Sequence, residues 1–177
     1  MAVLMVPGPD EEPFPTLGPQ VVEWMETFLV HGPGDVRGEP YRLDDEKKGI
    51  IYRLYEVYPQ GHPKAGRRRF KRAGLSVRKG WAKTELGAAI AAAELHPDAP
   101  VRCDGFDAYG QPVGVGVLDP YIPMVAYTEE QSEELAYGAL LVMLGEGPLA
   151  DDFDLGVERI AVIGPNGKPA GKAVALA

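Results

Sequence analysis

The run SVRKGWAKTE, residues 76–85, carries the densest chemical information in this sequence. It joins a stretch with strand character to one with helix character, the setting in which a chain can curl its backbone N–H groups around phosphates. Such a site needs a cation that reaches the outer phosphate oxygens, a hydroxyl for Mg2+, and a helix N-terminus contributing about half a positive charge. Lys83 fits as the cation, Thr84 as the magnesium ligand and Gly80 as the flexible point of the loop, while Arg78 and Lys79 add positive charge. The match to G-x-x-x-x-G-K-[ST] is incomplete. Val77 stands where the first glycine belongs and Ala82 where the second does. A Cβ at residue 82 restricts φ, so the loop must follow a different or tighter path than a glycine would allow. The competing reading is a basic strand end followed by an ordinary helix, with Lys83 merely solvated.

Charge sharpens the picture. The chain of 177 residues has 18 Lys and Arg against 26 Asp and Glu, a net charge of −8, which argues against indiscriminate coating of nucleic acid. Yet Lys64, Arg67, Arg68, Arg69, Lys71, Arg72, Arg78, Lys79 and Lys83 crowd into one strip, and no acidic residue occurs from 57 through 84. Attraction for polyanions is therefore concentrated there. The strip also reads as a solvated loop and strand edge. A single cysteine, Cys103, excludes an internal disulfide, and His31, His62 and His96 show no metal-ligand spacing.

Elements that must position this loop can be read on either side of it. Residues 1–19 form an irregular leader, and Val21, Trp24, Met25, Phe28 and Leu29 predict a helix from 19 or 20 to 30. A second helix opens at Asp44 or Asp45 and runs to about 58, with Asp44 as its N-cap. Residues 69–77 read as a strand and 84–95 as an alanine-rich helix. The valine–glycine alternation within 100–119 reads as a hairpin-like insertion. A short buried strand over 123–127 precedes a helix capped by Thr128, with Gln131 closing a capping box, that runs to about 144. Two last strands, 159–163 and 172–176, flank the turn at 164–167. Strands alternating with helices after residue 68 predict a layered α/β sheet with helical crossovers. The opening residues, 1–6, are too short for a signal-peptide core or a membrane span, so a cytoplasmic protein without membrane attachment is expected.

The run GLSVRKGWAKTEL (74–86), preceded by RRRFKRA (67–73), resembles the start of the ATPase domain in phage terminase large subunits, the motors of viral DNA packaging. That family carries a variant phosphate loop, often basic ahead of its lysine and without the usual first glycine. VVEWMETFLVHGPGDVRGEP (21–40) resembles the N-terminal segment of a branch found in actinobacterial phages. CDGFDAYGQPVG (103–114) and DPYIPMVAYTEEQSEELAY (119–137) resemble the segment between the phosphate loop and the next core strand and helix. The likeness covers roughly residues 17–177.

The resemblance implies an α/β fold: an incomplete P-loop NTPase-like layered sheet preceded by two N-terminal helices. It divides the chain into a leader and first helix, 1–40, and the N-terminal part of a P-loop ATPase domain, 41–177. It implies ATP and Mg2+ as ligands, with Arg78, Lys79, Gly80, Trp81, Ala82, Lys83 and Thr84 around the phosphates and Thr84 on the metal. Lys47 occupies the place where an adenine-reading glutamine often lies, and Ala82 replaces the glycine usual before the lysine. The partners implied are double-stranded DNA in the complete motor, further copies of the chain, a C-terminal half, the small terminase subunit or the portal. Hydrolysis calls for an apolar strand ending in paired acids. The segment 114–119 ends in the single acid Asp119, and Asp151, Asp152 and Asp154 read as a solvated loop. The expectation is thus a truncated piece that neither hydrolyses ATP well nor cuts DNA alone, and whose short sheet leaves an unpaired edge. The second reading is a degenerate, non-hydrolysing nucleotide fold serving as a DNA- or protein-interaction module.

Overall fold

The computed structural model describes residues 11–125, 136–164 and 166–176. Helix α1, Gly18–Phe28, and helix α2, Asp45–Leu54, pack against each other. Their facing apolar residues, among them Val21, Met25 and Ile51, are fully buried. Asp44 caps α2 as its position suggests: its Oδ1 accepts the Lys47 N–H at 2.8 Å. Helix α3, Lys83–Leu95, buries Ala88, Ala89, Ala92 and Ala93 completely, and these small side chains let it pack closely on its neighbours. One neighbour is helix α4, Gly138–Gly145, which contributes Leu140, Met143 and Leu144.

Strands β1, Arg102–Phe106, and β2, Pro112–Val115, form an antiparallel two-stranded sheet, the hairpin expected within 100–119. The larger sheet has four strands in the order β3-β6-β5-β4. These are β3, Tyr121–Val125; β4, Phe153–Leu155; β5, Arg159–Ile163; and β6, Pro169–Leu176. Only β3 and β6 run parallel; β6–β5 and β5–β4 are antiparallel. α3 lies against β3 and β6, and α4 against β4. Tilted ring contacts of His96 with Trp24 and Phe153, at centroid distances of 5.4 and 5.8 Å, tie α1, the end of α3 and β4 together.

Two expectations change on contact with this fold. Residues 69–77 form no strand; they are irregular backbone, reached by a single bridge between Val57 and Arg68. Gly74 and the cations on either side explain this, since the apolar positions are too sparse to define a buried face and Leu75 stays 43% exposed. Strand β3 is alternately exposed and half-buried rather than buried, as suits an edge. The cap at Thr128 and Gln131 lies outside the described residues, as do 126–127.

Candidate functional site

Two groups stand out among the basic side chains of the strip. Arg68 donates to Glu94 Oε1 at 2.5 Å, and the Tyr55 hydroxyl donates to the same oxygen at 2.9 Å. Arg102 reaches Glu94 Oε2 at 2.9 Å. Arg69 pairs with Glu56, 2.7 Å away and only 2% exposed, and also with Glu11. Arg53 bridges the same two carboxylates, at 3.2 Å to Glu56 and 2.6 Å to Glu11. Arg53, then Arg69, hold the Glu11 carboxyl well below the usual range, at about 2. Arg68 also lies 3.9 Å over the Tyr55 ring. Arg68 and Arg69 are therefore part-buried struts with acidic partners, whereas Lys64, Arg67, Lys71 and Arg72 of the same strip are exposed.

The second group lies at the start of α3. Arg78, Lys79 and Lys83 are exposed, and among the described residues none of them, nor the Thr84 hydroxyl, has a side-chain hydrogen bond or ion pair. Between residue 77 and the helix the backbone bends sharply. Gly80 has φ +80° and Ala82 φ +62°, both left-handed. For alanine that conformation costs roughly 1–2 kcal/mol. Ala82 thus takes the conformation that a glycine would adopt freely, instead of avoiding it. Its carbonyl accepts the Leu86 N–H at 3.0 Å, starting α3, and no side chain caps the helix. The first-turn N–H groups, which have no intrahelical acceptor, are the kind that bind anions.

Trp81 is the one buried residue between Phe70 and Leu86. Its indole N–H donates to Glu46 Oε2 at 3.0 Å, and the Lys47 ammonium lies 4.8 Å from its ring centroid. Lys47 also pairs with Asp44. The position at which the resemblance placed a base reader is thus engaged in fixing the loop to α2. Glu85, next to Thr84, accepts the Gly32 N–H at 2.9 Å and lies 3.0 Å from His31 Nδ1, so it ties the α1–α2 connection to the same helix start.

Beside the loop a cleft of about 670 Å³ opens between α2 and α3. Ile50, Leu54, Leu86 and Ile90 give it apolar walls, Phe70 and residues 72–77 roof it, and Glu46, Arg53, Arg72 and Lys83 add charge. Gly87 also lines it, and a Cβ built there meets no atom within 4 Å. Glycine inside a helix is unfavourable by about 1 kcal/mol, and internal packing does not require it here. An open glycine on a cleft wall suits close approach by a flat group. This cleft went unread in the sequence, where the signal was a lone glycine in an alanine-rich helix, four residues after Lys83.

The other candidates do not converge. Asp119 is exposed with φ +52°, Asp152 lies 3.4 Å from His96 Nε2, and Asp154 pairs with Arg159. Among the described residues no group of three or more His, Cys, Asp or Glu is placed to hold a metal ion. None of their helices is long and apolar enough to cross a membrane. Comparison with protein-family models, curated proteins and solved structures gave no match.

Proposed function

We propose that this chain binds the phosphates of a nucleotide, ATP with Mg2+, at residues 78–84, as the nucleotide-binding part of a viral DNA-packaging motor of the terminase type working in the host cytoplasm. One observation carries the reading. Lys83 is both the first residue of α3, beside its uncapped N–H groups, and a wall of the adjoining apolar cleft. An anion at the helix start and an aromatic base in the cleft would therefore be parts of one molecule. The cleft volume falls within the range of small-ligand pockets, about 300–1,000 Å³.

The residues fit such a ligand in part. Lys83 and the α3 N–H groups would hold phosphate oxygens, Thr84 offers a hydroxyl for the metal, and Arg78 and Lys79 raise the local potential. Magnesium, when bound, neutralises phosphate charge. The alternative, a non-hydrolysing module that contacts DNA or protein, draws support from the absence of a strand at 69–77. Its DNA-contacting form is weakened by the acidic partners of Arg68 and Arg69.

Titration with Mg–ATP, comparing the intact chain with Lys83→Ala, tests the proposal. Loss of one charge-assisted phosphate contact weakens binding about 10-fold or more, and melting stays unchanged because Lys83 is exposed. Equal binding by both proteins places the site elsewhere.

A further inference from the structure

Ala82 raises a question that the proposed site leaves open: what keeps a Cβ-bearing residue left-handed in a surface loop? Its own side chain is exposed, and the preceding Gly80 adds flexibility, not constraint. From 71 to 85 the only buried side chain is that of Trp81, bracketed by the two left-handed residues. Its partners belong to the first turn of α2: Glu46 through the indole N–H and Lys47 over the ring, with Lys47 held by the capping residue Asp44.

We propose that Trp81 is a positioning residue for the phosphate loop, locking it to α2 and so holding Ala82 in the conformation that a glycine would otherwise supply. The loop is thereby preorganised by a tertiary contact in place of backbone permissiveness, and the first turn of α2 supports the anion site through Trp81. This inference rests on the nucleotide reading for its binding consequence. The conformational part stands on the geometry of residues 80–82 and 44–47 alone.

The test is a double-mutant cycle on the full chain with Trp81→Leu, Ala82→Gly and the pair, each examined by Mg–ATP titration and by melting without nucleotide. Trp81→Leu is expected to weaken Mg–ATP binding at least 10-fold, and adding Ala82→Gly restores most of that loss, because glycine adopts positive φ unaided. Melting gives a readout independent of ligand. With Trp81 present, Ala82→Gly raises Tm by about 3 °C through relief of strain. With Trp81 replaced, residue 82 relaxes and the same change lowers Tm, since glycine adds only unfolded-state entropy. That sign reversal is the signature of the lock. Additive effects in both measurements, or a double variant binding no better than Trp81→Leu, overturn it. Trp81→Phe keeps the packing but loses the N–H bond, and it shows the same pattern at smaller amplitude where the leucine variant does not fold. If the intact chain fails to bind Mg–ATP, the nucleotide reading falls, while the Tm cycle still decides the role of Trp81.

Discussion

Arg68 and Arg69 on one side, and Arg78 and Lys79 on the other, lie ten residues apart in a strip without a single acidic residue. In the folded chain they have opposite fates. The first pair is enclosed by Glu11, Glu56 and Glu94, which come from the leader, the end of α2 and the end of α3. The second pair extends from the bend before α3 with no acidic partner among the described residues. A cation is available to a ligand only when the fold has not already supplied an anion, and those anions come from distant sequence. Charge density along the chain therefore does not tell which cations a ligand can reach: carboxylates already hold Arg68 and Arg69, whereas Arg78 and Lys79 are exposed.

The comparison breaks most sharply at Glu56, whose carboxylate is nearly inaccessible and serves two arginines. Glu56→Ala leaves Arg53 and Arg69 with Glu11 as their remaining acidic partner, and losing the charged hydrogen bonds to the nearly inaccessible carboxylate costs about 2 kcal/mol. A fall in Tm of roughly 5 °C is expected. A variant that melts within about 1 °C of the intact chain would show that Arg69 is as solvated as Arg78 and Lys79, and the distinction would collapse.

Gly87→Leu sharpens it from the other side. The new side chain fills the cleft and improves helix propensity by about 0.7 kcal/mol, so stability holds or rises. Mg–ATP binding should drop about 10-fold or more, as expected when a base loses its apolar seat. Inorganic tripolyphosphate, which carries phosphates but no base, should bind the intact and Gly87→Leu chains equally. If tripolyphosphate loses affinity in parallel with ATP, the cleft and the loop are not separate subsites.

Much of this arrangement was legible in the sequence, and the limits are physical. Helices α1 and α3 declare themselves by apolar spacing and alanine content. Asp44 announced its cap, because capping depends on near neighbours. The hairpin follows from glycine punctuation. The reading of 69–77 as a strand failed because strand pairing needs a partner edge, and Phe70 is instead covered by the Arg53 and Arg69 guanidiniums at 5.1 and 4.9 Å. Gly80 marks the bend before α3 in the sequence, but the left-handed form of Ala82 is not legible there, since a contact with α2, some 35 residues earlier, accompanies it. Gly87 was visible but meaningless until the opposing wall of the cleft was known.

Acid provides a milder probe of the enclosed group. Because Arg53 and Arg69 depress the Glu11 pKa from 4.5 to about 2, the pairing stabilises the fold at neutral pH. That contribution is complete above the unfolded-state pKa and is lost as pH falls from about 4.5 through 2. The intact chain should lose part of its Tm across that window. Glu11→Gln should start lower at pH 7 and show a flatter acid slope, since the amide cannot titrate. Parallel slopes for the two proteins would mean that the leader is not docked on the arginines in solution.

The smallest expected effect falls on the exposed group, and it carries the comparison to its end. Lys79→Ala removes a solvated charge without a partner among the described residues, so Tm should stay within about 1 °C, in keeping with a surface site. Its influence on a bound anion acts through solvent, which limits the loss of tripolyphosphate affinity to about two- to threefold at low ionic strength. That loss should fade near 0.15 M salt, where the screening length is roughly 8 Å. A salt-insensitive loss would instead put the Lys79 ammonium in direct contact with the anion and move it from the rim of the site to its centre. Arg68→Ala is the matched control: it should lower Tm while leaving tripolyphosphate affinity unchanged, because its charge is already balanced by Glu94.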